Sequence, residues 1–585
     1  MKTKTRFTHT VRTVLRTSAV WIGGTLGMCG AAHAVDCSSL ISVTSDSSTM
    51  TAADSITPPA TIGGAAVTVP FCRVQGTARP TSDSEIKFEV WLPPTAAAWT
   101  GRMKVNGTGG YAGATPYARL AQDVGDGFVS AGSNMGHDGG ESATWTLGHP
   151  EKVKDWGLRA HFYVATAAKT LANAFYGQPV AHSYFEGCSN GGRQALMMAQ
   201  NYPTLFDGIV AGAPSNFYPD VLMWLTWTGK TLTPVLGQPA AISAAKRQAV
   251  TQRVLQTTCD ALDGLADNQI TNPRACSFNI DTMGPAPTGD GTLTALELAT
   301  VKAMYAGTTN EVTGQQRYTG AKYGSEADFD PNFSDNGGYG PFIGHYVYGV
   351  LSPPFDYRRD LNWSTVYDQT KAALSPITAA PSPDLTAFKN HGGKLIQFAG
   401  WNDSVVPPDG SVNYYHSLAL FEKLHTLPSA SIDGLVNNLS PQDVAVTAQF
   451  LGDRVRQYHR LFMLPATAHC GGSTGPNSIG GGMPEPPAAF RDADHHVVSA
   501  VIKWVEQGVA PDKIIATKFS GSTLTLSRPV CPYPAQAVYN GSGDVNVASN
   551  FTCVQQTESA ASIGPGDIIE IKNSLAQRAL ELPNR

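Results

Sequence analysis

The heptapeptide EGCSNGG at 186–192 sets a serine between glycines at both ±2 positions, Gly187 and Gly191, with Gly192 just beyond. A hydroxyl at the apex of a sharp strand-to-helix turn needs small residues there, because larger side chains would collide across the bend. The flanks agree with such a turn: SYFEG reads as a buried strand and GGRQALMMAQNY as an amphipathic helix. Ser189 is therefore a candidate nucleophile and not a residue of an ordinary glycine-rich loop. A serine hydroxyl reacts when a histidine takes its proton, and the histidine needs an acid to fix its tautomer and stabilise its cation. The chain order serine, acid, histidine selects Asp403 in GWNDSVVPP and His469 in ATAHCGG, each just past a strand-like run, KLIQFAGW and RLFMLPA.

Each of the two distant reactive residues has a cysteine neighbour, Cys188 before the serine and Cys470 after the histidine. If Ser189 and His469 must come within hydrogen-bond reach, the two thiols come close as well, so a disulfide is expected to staple the catalytic loops. Cys188 itself lies off the apex of the turn and is not read as the nucleophile. An intermediate oxyanion needs N–H donors, commonly the residue after the nucleophile and one from an earlier glycine-rich loop. Asn190 is the first candidate; Gly109 and Gly110 of NGTGG are candidates for the second, with Gly110 preferred.

These residues need a sheet to hold them. Strand-like runs at 86–92, 102–107, 127–133, 183–189, 206–214, 394–401 and 460–466, several of them continuously apolar, indicate parallel strands buried on both faces. Helical periodicity fits 157–176, 190–201, 411–425 and 490–507. The alternation implies a doubly wound α/β sheet. It lapses at 217–393, where aromatics, glycine and proline mix with short helical stretches, so an insertion lying over the strand ends as a lid is expected. The catalytic domain then has two parts, 35–216 and 394–585.

Composition limits the function classes. The 585 residues carry 15% charged side chains and a net charge of −5, and no basic patch marks a nucleic-acid surface. Lys2, Lys4, Arg6, Arg12 and Arg16 precede an apolar stretch from Ala19 to Ala32, and Ala32-His33-Ala34 suits signal-peptide cleavage. Residues 1–34 are thus expected to be a leader, and no further apolar run long enough to span a membrane follows. The expected location is periplasmic or secreted. Loss of Cys29 with the leader leaves eight cysteines, an even number suited to an oxidising compartment. Asp260, Asp263 and Asp267 pack three carboxylates into eight residues. They form either a solvated acidic loop or a nest for a hard cation such as Ca2+, without the spacing of an EF-hand.

GCSNGGRQALMMAQNYPTLFDGIVAGAPSN, GWNDSVVPP and AHCGG together resemble the tannase and feruloyl esterase family, as do NGTGGYAG, SNMGHDGG and HPEKVKDWGLRAHF. The resemblance implies an α/β-hydrolase fold with a large lid and hydrolysis of aromatic carboxylic esters, free or attached to plant cell-wall polysaccharide. It also implies a structural Ca2+ held by Asp260, Asp263 and Asp267 side chains and by backbone carbonyls that map to Leu265 and Gln269. Cys259 and Cys276 are expected to clamp that loop; by elimination Cys37 pairs with Cys72 and Cys531 with Cys553. Among relatives, feruloyl esterase is preferred over tannase and over mono(2-hydroxyethyl) terephthalate hydrolase. In the last an aromatic is expected three residues past the catalytic aspartate, where Val406 stands here. A non-catalytic carbohydrate-binding or surface protein is the alternative of another class, and the complete triad pattern argues against it. Phe217, Tyr218, Trp224, Trp227, Tyr357 and Trp363 could enclose an aromatic acyl group, but lid core is the commoner fate of such residues. Arg358 and Arg359 are given no site role.

Overall fold

In the computed structural model, residues 34–111, 113–140, 143–349, 355–424 and 429–581 are described. The expected leader, apart from Ala34, lies outside them. One ten-stranded sheet runs through the molecule. Its strands are β1 (Thr44–Ser45), β2 (Ser48–Ile56), β3 (Phe71–Ala78), β4 (Ile86–Leu92), β5 (Arg102–Asn106), β6 (Val129–Ser133), β7 (His182–Cys188), β8 (Gly208–Gly212), β9 (Lys394–Gly400) and β10 (His459–Leu464). Their spatial order is β1-β2-β3-β4-β6-β5-β7-β8-β9-β10. From β1 to β6 neighbours are antiparallel, and from β6 to β10 they are parallel.

The parallel half matches the expected runs to within a few residues, because β5 to β10 are mostly buried and several of them read as continuous apolar runs. The antiparallel strands β2 and β3 were not expected; STMTAADSI alternates exposed and buried positions weakly and carries small polar residues. Parallel register aligns the strand ends: Asn106 lies beside Glu186, Cys188 beside Gly212, Gly212 beside Phe398, and Gly400 beside Leu464. The loops after β5, β7, β9 and β10 therefore emerge along one edge, where the candidate residues sit.

Helix α1 (Tyr117–Gly125) follows the NGTGG loop, α2 (Ala160–Tyr176) precedes β7, and α3 (Asn190–Asn201) follows it directly. The expected helix at 490–507 forms only as Val497–Gln507, since the Asp492 carboxylate accepts the N–H groups of Asp494 and His495 and holds that stretch as a turn. Between Gly212 and Lys394 no described residue joins the sheet; this region is helical, from Tyr218–Leu232 to Thr386–Asn390. Past β10, the chain adds two hairpins, Ile514–Ser520 with Thr523–Val530 and Gln536–Tyr539 with Phe551–Val554, and the helix Pro565–Glu581. No described helix is long and apolar enough to cross a membrane.

Candidate active site

Ser189 stands between β7 and α3 with φ 65° and ψ −124°, a conformation that side chains rarely adopt. Its N–H donates to the Gly212 carbonyl at 2.9 Å, tying the turn to β8. The glycines answer for the tightness of the turn. A Cβ on Gly187 would lie 2.7 Å from the Gly191 carbonyl carbon, and one on Gly192 would lie 2.2 Å from the Gly212 oxygen. No side chain fits at either place.

His469 and Asp403 meet as the sequence predicts: Nδ1 of the histidine lies 2.7 Å from Oδ2 of the fully buried aspartate. The other oxygen, Oδ1, accepts the N–H groups of Val405 and Val406 at 2.9 and 2.8 Å. The carboxylate is thus oriented by its own loop, and Val406 contributes its backbone. Trp224 braces that loop from the lid by donating from Nε1 to the Ser404 carbonyl at 3.1 Å. Cys188 and Cys470 are joined, with Cα atoms 6.0 Å apart and a sequence separation of 282. The other three pairings are also as expected: Cys37–Cys72, Cys259–Cys276 and Cys531–Cys553.

Ser189, His469, Cys188 and Cys470 line one cleft of about 600 Å³, together with Gly109 and Gly110. In the NGTGG loop the Gly107 N–H donates to the Glu186 carbonyl and the Thr108 N–H to Gln194 Oε1, so these two amides are committed. Gly109 and Gly110 follow, and Gly110 has φ +54°. Asn190 is the first residue of α3, a position whose N–H has no acceptor within the helix. Its side chain donates to the Thr108 carbonyl at 3.2 Å and accepts from Arg193 Nε at 2.7 Å. The N-terminal part of α3 therefore fixes the glycine loop twice, through Asn190 and Gln194. Burial pushes the His161 imidazole down to about 4, so it is neutral and its Nε2–H donates to Gln194 Oε1 at 2.9 Å.

The six lid aromatics singled out in the sequence are buried in the lid and its seam with the sheet, and none lines the cleft. Phe333 and Tyr339 take that place, stacked with centroids 5.8 Å apart, and Asp330, Asn336 and Arg119 line the same cleft. Sequence reasoning missed all five: DPNFSDNGGYG has no periodicity, and its only signal is aromatics among Gly, Asp and Asn. Arg358 is buried and its Nη2 pairs with Asp335 at 2.5 Å, bracing the same segment from behind.

The acidic loop offers oxygen donors only, which suits a hard cation. Burial, then the neighbouring carboxylates, raise Asp260 and Asp263 above the ordinary range. Asp260 accepts the N–H groups of Asn268 and Gln269, and Asp267 pairs with Arg528 of the Thr523–Val530 strand. Among the described residues no three His, Cys, Asp or Glu side chains are grouped as ligands of one ion. The donor chemistry fits calcium; the side-chain placement does not converge on a single point.

Comparison with known proteins decides the family. The model for "Tannase and feruloyl esterase" matches residues 72–554. The chain belongs to the tannase and feruloyl esterase family. An uncharacterized esterase of Xanthomonas campestris pv. campestris is 34% identical over 94% of this chain and 96% of its own. The probable feruloyl esterase B-2 of Aspergillus terreus is 28% identical, covering 83% of this chain and 87% of that protein. Crystalline feruloyl esterase B from Aspergillus oryzae superimposes with a TM-score of 0.74 at 26% identity, over 88% of this chain and 98% of that one. Tannin acyl hydrolase from Aspergillus niger shares the fold, with a TM-score of 0.65 at 20% identity over 91% and 93% of the two chains. This family member is a carboxylic ester hydrolase with the α/β-hydrolase fold and an inserted lid.

Proposed function

We propose that the protein is an exported serine esterase that cleaves esters of aromatic carboxylic acids, feruloyl esters foremost, through an acyl-enzyme on Ser189. The observation that carries this reading is the 2.7 Å contact of Asp403 with His469 in the cleft that also holds Ser189, Phe333 and Tyr339. His469 Nε2 takes the Ser189 proton as Oγ attacks the ester carbonyl, and Asp403 stabilises the imidazolium. The N–H groups of Asn190 and Gly110 receive the oxyanion. Collapse breaks the carbon–oxygen bond of the ester, and the imidazolium protonates the departing alkoxide. Water, deprotonated by the same histidine, then releases the acid and frees the serine.

Phe333 and Tyr339 supply a flat apolar wall for an aromatic acyl group, and Asp330 supplies an acceptor for a ring hydroxyl. Four disulfides support an oxidising destination, in keeping with the leader at 1–34. Asp260, Asp263 and Asp267, with the carbonyls of Leu265 and Gln269, are proposed to hold a Ca2+ whose service is to brace the lid and not to touch substrate. The test is direct: a fluorophosphonate probe should label Ser189 alone, and Ser189→Ala should lose both labelling and ester turnover while keeping its melting temperature. Methyl ferulate, methyl gallate and mono(2-hydroxyethyl) terephthalate assayed side by side set the acyl preference, with ferulate expected fastest. Undiminished hydrolysis by Ser189→Ala would overturn the mechanism.

A further inference from the structure

The loop that carries His469 has a costly backbone. Cys470, Gly471, Gly472 and Ser473 follow one another with φ 52°, 122°, 84° and 60°. Two of these four bear side chains, and residues held at such angles persist only when their surroundings fix them. The near end of the run is fixed by the disulfide from Cys470 to Cys188. At the far end Lys518 Nζ donates to the Ser473 and Thr474 carbonyls at 2.8 and 3.0 Å, and Ser473 Oγ donates to Asp328 Oδ2 at 3.0 Å. Asp328 comes from the inserted lid region.

The same carboxylate oxygen also meets the loop after β9. Asn402 Nδ2 lies 3.4 Å from Asp328 Oδ2 and donates to the Gly324 carbonyl at 2.8 Å, while Ser404 Oγ donates to the Asp328 carbonyl at 2.8 Å. Both sequence neighbours of Asp403 are therefore bonded to one lid turn, 324–328. That turn is itself held. Glu326 is fully buried and accepts from Tyr305 Oη at 2.5 Å, Thr251 Oγ1 at 2.9 Å and the Gly324 N–H at 2.9 Å, and Thr251 Oγ1 accepts the Ala327 N–H at 2.9 Å. Burial raises the Asp328 carboxyl above its ordinary range, and the bonds from Ser473 and Asn402 oppose that rise. Asp328 is not among the residues that line the cleft at Ser189, so its contacts are with the two loops and not with a bound ester.

We propose that Asp328 is a positioning residue, whose carboxylate ties the loop of Asp403 to the loop of His469 and so keeps the base aligned with Ser189. The proposal rests on the serine-esterase reading above. It is tested in the full mature protein with two substitutions: Asp328→Asn keeps an oxygen for both donors, and Asp328→Ala leaves none. Well below its melting temperature, Asp328→Ala should lose about tenfold or more in kcat on methyl ferulate with KM held within about twofold, and Asp328→Asn should stay within about threefold of wild-type kcat. Ser473→Ala removes one of the same bonds, so adding it to Asp328→Ala should cost nothing further. The Nδ1–H of His469 in its bond to Asp403 gives a second readout, a low-field proton NMR signal identified by its absence from His469→Gln. That signal should persist in Asp328→Asn and be broadened or lost in Asp328→Ala. Wild-type kcat in folded Asp328→Ala, an equal loss in Asp328→Asn, multiplying effects of the Asp328 and Ser473 changes, or an unaltered signal in Asp328→Ala would each overturn the proposal. Should Asp328→Ala fail to fold, Ser473→Ala decides, and an undiminished kcat there refutes the tie. Retention of turnover by Ser189→Ala would overturn the serine-esterase reading instead, with the proton signal still deciding whether Asp328 holds the Asp403–His469 pair.

Discussion

Replacing Asp403 by asparagine removes a charge without changing shape, and the surrounding bonds dictate how the new amide must point. In the native loop Oδ1 accepts two backbone N–H groups, from Val405 and Val406, at 2.9 and 2.8 Å, while Oδ2 faces His469 Nδ1 at 2.7 Å. The oxygen of the introduced amide will therefore stay with the backbone, because turning NH2 toward Val405 and Val406 would leave two buried donors unsatisfied, at about 1–3 kcal/mol each. The NH2 group then faces His469 and demands an acceptor at Nδ1. The imidazole is driven into the tautomer protonated at Nε2, which cannot take the Ser189 proton. An aspartate-to-asparagine change of this kind costs about 10,000-fold in kcat, or roughly 5.4 kcal/mol of barrier at about 1.36 kcal/mol per decade. Stability should move little, since the two loop bonds persist. The assay is kcat on methyl ferulate with the melting temperature measured on the same sample. A folded Asp403→Asn protein that keeps more than about a tenth of wild-type kcat would show that the tautomer argument is wrong.

Replacing Cys188 and Cys470 together by serine should lower kcat on the order of 100-fold even well below the melting temperature, because a displacement of about 1 Å between base and nucleophile suffices; equal kcat in folded protein would deny the staple a catalytic role. The same change should also lower stability, by up to about 5 kcal/mol in the chain-entropy picture for so long a loop, read from denaturant unfolding. Exhaustive chelation should lower the melting temperature more than it lowers room-temperature turnover, by loss of a ligand that binds only the native state; an unchanged melting temperature with no calcium by elemental analysis would remove the ion. Burial pushes His161 to about 4 and His459 to about 3, below the ordinary value of 6.5. The unfolded chain binds those protons first, so the stability these neutral rings confer is complete above about pH 6.5 and is lost as the pH falls toward about 4 and then about 3. His459→Gln should flatten that slope in melting temperature against pH.

Ser189, Asp403 and His469 were legible as candidates because each sits where the chain has little freedom. Ser189 is framed by glycines that the backbone contacts make obligatory, and Asp403 and His469 follow apolar runs that pair in parallel as the last two strands of the sheet. The cleft's far wall was not legible. Phe333 and Tyr339 owe their position to a short irregular segment braced by Arg358 on Asp335, a contact between residues 23 apart with no period to announce it. The large aromatics that composition brings forward, Trp224 and Trp227 among them, are spent on lid packing. Asn190 was expected as an amide donor; that its side chain also clamps the glycine loop through Thr108 depends on how α3 packs beside the loop after β5 and could be seen only in three dimensions.

Backbone strain in this protein gathers on the edge of the sheet where Ser189 and His469 lie. Met135 (φ 60°), Ser189 (φ 65°), Ala213 (φ 35°) and Ala466 (φ 45°) each lie one or two residues past the end of a parallel strand, and Cys470 (φ 52°) follows His469. Side chains held at such angles cost roughly 1–3 kcal/mol each and persist only when their surroundings over-determine them. The Ser189 N–H bond to Gly212 supplies part of that determination within the sheet. The rest must cross from β7 to the loop after β10, with β8 and β9 in between, where no backbone ladder reaches. The Cys188–Cys470 bond spans that gap, joining the residue before one strained position to another strained position beside His469. Its removal would let both loops relax toward ordinary backbone angles while the sheet beneath stays paired, so turnover should fail at temperatures where the fold is still intact.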